Sequence, residues 1–120
     1  MSLISEMSEE LENRFYEYAR RVRDFCGAVK KNLINNEYLT QLIRASSSVG
    51  ANYIEASDDL GRSDERLKIK ISRTESKESV FWLRLILTYD DHELETERQL
   101  LINEGTAIRK ILSAILIKLH

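Results

Sequence analysis

The stretch LTQLIRASSSVGANYIEASDDL, from Leu39 to Leu60, predicts one long helix at the centre of the fold. Within it, seven mostly apolar or small residues recur at alternating spacings of three and four, which places them along one stripe of a helix. That stripe consists of Leu39, Leu42, Ser46, Val49, Tyr53, Ala56 and Leu60. A second stripe of Ile43, Gly50 and Ile54 lies beside it, so we expect this helix to pack against two neighbours.

Small residues occupy the middle of this predicted helix, where SSSVGA runs from Ser46 to Ala51. They carry little side-chain bulk, so the backbone of a partner helix can come close. A glycine inside a helix costs about 1 kcal/mol of helix propensity, and packing has to offset that cost. We therefore expect a close helix–helix contact at Gly50.

The composition of the whole chain favours helices. The 120 residues suffice for one core, and the chain holds no proline and only four glycines, so long helices can run uninterrupted. A first helix is predicted from an N-cap at Ser8 to Leu33, with a turn at Asn35 and Asn36. The central helix is predicted to end at Gly61.

Two more helices follow in the sequence. Ser63 is a predicted N-cap for the third helix, with Asp64 and Glu65 in its first turn. The buried stripe predicted for the third helix is Leu67, Ile71, Thr74, Glu78, Phe81, Leu85 and Thr88. A turn at residues 90–92, with Asp90 and Glu93 at capping-box spacing, precedes a fourth helix that ends at Leu119. The predicted fold is an all-α, antiparallel up-down-up-down four-helix bundle, a single domain over residues 1–120.

Charge and hydropathy bound the cellular setting. The formal net charge is −2, so attraction to nucleic acid has to come from a local patch. No apolar run approaches the roughly 20 residues of a membrane span, and the acidic start does not read as a signal peptide. The single cysteine, Cys26, permits no intramolecular disulfide. We expect a cytoplasmic protein without membrane contact.

Two segments are more apolar than a monomeric bundle requires, on the third helix around FWLRLIL and on the fourth around ILSAILIKL. A helix that is apolar all round is normally buried all round, which predicts subunit contacts. The predicted interface residues are Trp82, Leu83, Ile86, Leu87, Ile111, Ile115 and Leu116. A thick core with a few exposed leucines is the alternative.

Catalytic and metal-binding patterns point away from an enzyme. Cys26 lies on the apolar flank of the first helix without a histidine beside it, which is typical of a structural cysteine. A di-iron bundle needs two Glu-x-x-His pairs, whereas Tyr89 and Ile117 precede the two histidines at that spacing. No phosphate-binding glycine loop or zinc-ligand spacing is present. We predict no catalytic residue, no metal and no cofactor.

Polar residues at helical spacing allow two interpretations. Asn52 and Glu55 share one face of the central helix, and Glu75 and Glu78 share one face of the third. They are either a carboxylate site or, as we favour, a structural polar layer in which Asn52 or Arg44 satisfies the acids.

The third helix also carries a cationic strip, which we call the basic ridge. It consists of Arg66, Lys70, Arg73, Lys77 and Arg84. At 1.5 Å per residue it is roughly 27 Å long, or several phosphate spacings of a nucleic acid. The acidic segment Asp90–Glu97 is an alternative partner for the ridge, in the same or a neighbouring subunit. The ridge is therefore a candidate nucleic-acid-binding site or one half of a set of ion pairs.

A family resemblance rests on three stretches: QLIRASSSVGANYIEASDDLGRSD, IKISRTESKESVFWLRLIL and IRKILSAILIKLH. SVGANYIEA and KES.FWL are their densest parts. Together the three stretches resemble the four-helix-bundle proteins encoded in intervening sequences of bacterial large-subunit rRNA genes, also called ribosomal protein S23-like. The resemblance extends to the accessory proteins of diversity-generating retroelements.

This resemblance implies a four-helix bundle that assembles into a closed ring, often a pentamer. The related accessory proteins bind nucleic acid and associate with a reverse transcriptase, and the family offers no established catalytic residues. We therefore expect a non-enzymatic, homopentameric binding or scaffolding module with an RNA-associated role. The alternative is a protein–protein adaptor without direct nucleic-acid binding, for example an accessory subunit of a reverse transcriptase.

Overall fold

Four helices account for the fold in a computed structural model, which describes residues 3–56 and 61–119, with side chains from residue 9 onward. They are α1 (Leu3–Ala28), α2 (Leu33–Ala56), α3 (Arg62–Leu85) and α4 (His92–Lys118). Each helix packs against its two neighbours in the cyclic order α1, α2, α3, α4. The result is the antiparallel four-helix bundle that the sequence predicts. Its extents are 48 × 22 × 19 Å.

The helix α1 begins earlier and ends earlier than predicted. It starts at Leu3, so Ser8 lies within the helix and not at its cap. It ends at Ala28, where the Lys31 ammonium donates to the carbonyl oxygens of Gly27 and Val29 and so satisfies groups that a helix end leaves unpaired. Leu33, predicted to continue the α1 stripe, is 82% exposed at the start of the next helix.

Asn32, and not Asn35 or Asn36, caps α2. The side-chain oxygen of Asn32 accepts a hydrogen bond from the backbone N–H of Asn35 at 2.8 Å. The predicted stripe of α2 is confirmed from Leu39 to Ala56, because its six described members are all buried. Leu60 and the predicted end of the helix fall on residues 57–60, outside the described part of the chain.

The close approach expected at Gly50 involves α1. A Cβ atom added to Gly50 would lie 3.4 Å from the Cβ atom of Phe15, at the short end of ordinary van der Waals contact. The other two members of the second α2 stripe, Ile43 and Ile54, are each 48% exposed. In a single chain, only the glycine of that stripe is fitted closely against a neighbour.

The helix α3 shows the largest departure from the prediction. Gly61, with φ at +96°, precedes its first turn in place of Ser63, and the helix ends at Leu85. Its buried face consists of Glu65, Ile69, Ser72, Ser76, Ser79 and Leu83. The stripe predicted to be buried lies outside, with Leu67 53% and Phe81 54% exposed. The prediction failed because it followed the large apolar residues, whereas the interior here accepts serine.

The serine face of α3 fits an interior filled by side chains from other helices. Ser72 is fully buried, and its hydroxyl donates to the carbonyl oxygen of Val49 in α2 at 2.7 Å. Ser76 and Ser79 donate to carbonyl oxygens within α3, so both buried hydroxyls are satisfied. These serine side chains are small and their hydroxyl groups are hydrogen-bonded, so α2 and α3 can approach closely.

The helix α4 is capped by Asp91, one residue after the predicted Asp90. The Asp91 carboxylate accepts from the backbone N–H of Leu94 at 3.0 Å. Farther along, Gly105 is buried, and an added Cβ atom would lie 2.7 Å from the Tyr18 hydroxyl oxygen and 2.8 Å from Val80. Gly105 therefore lets α4 approach both α1 and α3.

Candidate nucleic-acid interface

The basic ridge lies on the side of α3 that faces α4. Val80, between Lys77 and Arg84, meets Gly105 of α4. The guanidinium of Arg98 in α4 donates to the carbonyl oxygen of Leu83, at 3.2 Å. Since residues three, four and seven apart share a helix face, the ridge runs along the edge where α3 and α4 meet.

Arg66, the first ridge residue, has a structural task. Its guanidinium donates to the carbonyl oxygens of Leu116 and Leu119, at 3.0 and 3.1 Å. These groups belong to the carboxyl end of α4, where carbonyl groups lack helical partners and the helix dipole favours a cation. Arg66 is therefore committed to fixing the end of α4 and is a weak candidate for contact with phosphate.

The other four ridge residues have no such task. Lys70, Lys77 and Arg84 are exposed, and Arg73 is half-buried. Within residues 3–56 and 61–119, none of these four side chains engages in a hydrogen bond or an ion pair. A cation without a protein partner remains available to an external anion.

Two cations of α4 extend this surface and were missed at the sequence level. Arg109 follows Gly105 by one helical turn, on the side of α4 that meets α3, and Lys110 comes next. Neither side chain has an ion-pair partner in the described residues. We call the combined surface the basic face. It consists of Lys70, Arg73, Lys77, Arg84, Arg109 and Lys110.

The acidic segment Asp90–Glu97 does not pair with the ridge inside one chain. The Glu95 carboxylate accepts from Arg98, and its hydrogen bonds to Arg98 and Gln99 lower its pKa to about 2. The Glu97 carboxylate accepts from Arg21 of α1 at 2.7 Å. Asp91, Glu95 and Glu97 therefore have other partners within the chain. For these three acids, the prediction that they pair with the ridge of the same chain is wrong.

The predicted polar layer is not an internal layer. Arg44, Glu55 and Glu78 are exposed, and the Asn52 amide donates to the carbonyl oxygen of Ser48 in its own helix. Glu55 pairs across helices with Lys68. The predicted polar residues lie outside because Ser72, Ser76 and Ser79 occupy the middle of the inner face of α3.

Glu75 is the acid of this group whose pKa its surroundings change. Burial raises the pKa of its carboxyl group, the nearby Glu78 raises it further, and Arg44 of α2 opposes both. Arg44 of α2 therefore acts on an acid of α3 through its charge. Among the described residues, no ion pair joins Arg44 to Glu75 or Glu78, so Arg44 does not hold these acids in an internal layer.

The predicted oligomer interface divides into two groups. Leu83, Ile86, Ile115 and Leu116 are buried in the core of the single chain, so they are unavailable to a partner. The prediction is wrong for these four, because their neighbours within the bundle already cover them. The remaining three, Trp82, Leu87 and Ile111, retain exposed surface.

Nucleophiles and cavities add no chemistry to the basic face. Burial raises the pKa of the Cys26 thiol to about 11, so this thiol is protonated at neutral pH. A cavity of about 780 Å³ between α1 and α4 is lined by apolar residues such as Leu11 and Ile111 together with Glu9 and Glu10. In the described ranges, no three His, Cys, Asp or Glu side chains cluster in a way that would hold a metal ion. No helix in those ranges is long and apolar enough to cross a bilayer.

Comparison with solved structures finds a similar chain in Bacteroides thetaiotaomicron, a protein of unknown function from the S23 ribosomal protein family. The two superpose with a TM-score of 0.73 and 27% sequence identity, over 88% of this chain and 96% of the other. No family model and no curated protein sequence matches this chain. The fold, and a likeness to an S23-family protein, agree with the resemblance described above.

Proposed function

We propose that this chain is a non-enzymatic, homo-oligomeric module that associates with RNA through the basic face. The observation that carries the proposal is the set of cations on α3 and α4 that have no ion-pair partner among the described residues, on a chain whose net charge is −2. An acidic protein that keeps unpaired cations together on one face has a local site for a polyanion. The proposal places the protein in the cytoplasm, which contains RNA. The free, buried thiol of Cys26 is compatible with that reducing compartment.

The likeness to an S23-family protein supports the same proposal. The solved relative is of unknown function, but its family carries the name of a ribosomal protein, and an association with ribosomes would bring this chain to RNA. The resemblance to rRNA intervening-sequence proteins adds a homopentameric ring as the form of assembly. A ring would repeat the basic face around an axis, which multiplies the phosphate contacts available to one RNA molecule.

An RNA titration at two salt concentrations tests the proposal. Fluorescent single-stranded RNA is titrated with protein at 50 and 200 mM salt. We expect a log–log slope of about −0.7 per neutralised phosphate, and replacing Arg73 and Lys77 by glutamine should flatten the slope by about 0.7 for each cation removed. Absence of binding at 50 mM salt would exclude RNA as a direct ligand.

A matched control removes the same charge from elsewhere. Lys30, in the connection between α1 and α2, and Arg44 of α2 are exposed cations outside the basic face. Lys30→Gln/Arg44→Gln should leave the salt slope close to that of the wild type. An equal loss in both double variants would show that only the total charge matters.

A protein–protein adaptor without RNA binding is the second candidate. It is favoured by the exposed apolar side chains Leu67, Phe81 and Leu85 on α3, which a protein partner would cover. An accessory subunit of a reverse transcriptase is one form of such an adaptor. In that case the wild type should show no RNA binding. Phe81→Glu, which alters the exposed apolar side chains, should lose a protein partner in pull-down experiments, and the Arg73/Lys77 variant should retain it.

A further inference from the structure

One side of α3 presents large apolar residues to solvent. This outer strip consists of Leu67, Ile71, Thr74, Glu78, Phe81 and Leu85. Leu67, Phe81 and Leu85 are 53%, 54% and 37% exposed, although they follow the spacing of a buried helix face. An amphipathic stripe without a partner in its own chain indicates a surface that another molecule covers.

A second uncovered apolar surface lies between α1 and α2. Ile43 of α2, 48% exposed, and Tyr16 of α1, 63% exposed, line a groove of about 260 Å³ together with Ala19 and Arg23. Ile54, also 48% exposed, lies three helical turns beyond Ile43 on the same face of α2. We call this surface the α1–α2 groove.

The two surfaces cannot cover each other within one chain, because α2 lies between them. The side of α2 that meets α3 is occupied by Tyr38, whose ring stacks on Trp82 at 6.0 Å between centroids. Ile43 lies on the other side of α2, in the groove with α1. One surface is the outer side of a helix and the other is a recess between two helices, so the side chains of the first can enter the second.

We infer that the outer strip of one copy docks in the α1–α2 groove of a second copy, in a heterologous contact. This inference rests on the oligomeric part of the proposed function and names the surfaces that make the oligomer. Because two different surfaces meet, each bound copy leaves one strip and one groove open for further copies. Repetition of such a contact closes into a ring when the rotation between copies allows it.

Charge supports this pairing of surfaces. Glu78 stands in the middle of the outer strip, next to Glu75, and their like charges repel each other. At the groove, Arg23 has a 68% exposed side chain and an ion pair with the adjacent Asp24. A guanidinium has five N–H donors, so Arg23 can also donate to Glu78 of a second copy.

The docked arrangement leaves the basic face open. The strip points away from the bundle, whereas Arg73 and Lys77 lie toward α4. Neither surface of the contact therefore requires the side chains that the RNA proposal uses. Assembly and RNA binding can be tested separately on the same variants.

The test uses one charged substitution in each surface. Phe81→Glu alters the strip and Ile43→Glu alters the groove, and both positions are about half exposed, so the helices should tolerate the change. Light scattering should report a multiple of 14.0 kDa for the wild type and a single chain for each variant alone. The equimolar mixture should form a 1:1 species of two chains, because each variant keeps the surface that the other has lost.

Each result supports or overturns the inference. If Ile43→Glu still assembles while Phe81→Glu does not, the strip pairs with itself, which overturns the heterologous contact. A monomeric wild type overturns it as well. So does a mixture of the two variants that stays monomeric. Leu33→Glu, at an 82% exposed position outside both surfaces, is the control and should assemble as the wild type does. Phe81→Ser and Ile43→Ser repeat the test without added charge, with circular dichroism to verify folding. RNA titration of the variants shows whether binding fails independently of assembly.

Discussion

The middle of α3, between the buried residues Ile69 and Leu83, reverses the usual distribution of residues between the two sides of a helix. Toward the bundle interior, the helix presents Ser72, Ser76 and Ser79, all fully buried. Toward solvent, it presents Leu67 and Phe81, each more than half exposed. The comparison teaches that the space left by the other three helices decides what an inner face holds, and that hydrophobicity alone does not identify that face.

The strongest challenge to this comparison is to enlarge the inner face. Ser76→Leu would place a large side chain where the interior is filled, and overpacking of this kind typically costs about 1–3 kcal/mol. We expect a lower free energy of unfolding in urea for this variant. Ser63→Leu, at an exposed position of the same helix, is the control and should change stability little. Equal stability of the two variants would mean that unfilled space surrounds Ser76.

A smaller change separates the hydrogen bond of the inner face from its volume. Ser72→Ala removes the hydroxyl that donates to the Val49 carbonyl oxygen. A buried hydrogen bond of this kind contributes about 1 kcal/mol, so we expect a loss near that value. Val49 keeps its helical partner, which limits the penalty for the acceptor. A destabilisation far above 1 kcal/mol would show that Ser72 also sets the distance between α2 and α3.

The smallest expected effect belongs to the outer strip. Leu67→Ser replaces an exposed leucine by a polar residue, and surface changes of this kind usually fall within about 0.5 kcal/mol. Thermal unfolding at low protein concentration, where assembly contributes least, should therefore show nearly unchanged stability. A loss comparable to that of Ser76→Leu would assign Leu67 to the core of the single chain.

The sequence predicted most of α2 and misassigned α3 for the same reason. In α2, the large apolar residues and the inner face coincide, so periodicity identified Leu42, Val49 and Tyr53 correctly. In α3, two stripes compete, and the one richer in large apolar residues is the outer strip. Periodicity gives the faces of a helix, but which face turns inward depends on the volumes of its neighbours.

The candidate site was predicted in part. The spacing placed the cations of α3 on one face, but Arg66 turned out to cap α4, because the sequence does not show which helix end lies beside it. The same lack of interhelical register hid Arg109 and Lys110. Asn35, predicted to lie in a turn, is fully buried, and no local pattern announced its role.

The side chain of Asn35 ties together both connections at one end of the bundle. Its amide nitrogen donates to the carbonyl oxygens of Lys30 and Leu87, and its amide oxygen accepts from the Leu87 backbone N–H. The α1–α2 hairpin and the α3–α4 hairpin are thereby fixed against sliding along the bundle axis. A slip of one helical turn, about 5.4 Å, would break both bonds between Asn35 and Leu87 and leave part of a buried amide unsatisfied. The Asn35 carboxamide thus helps to set the longitudinal alignment of the two halves, and with it the level at which Ser72 of α3 meets Val49 of α2.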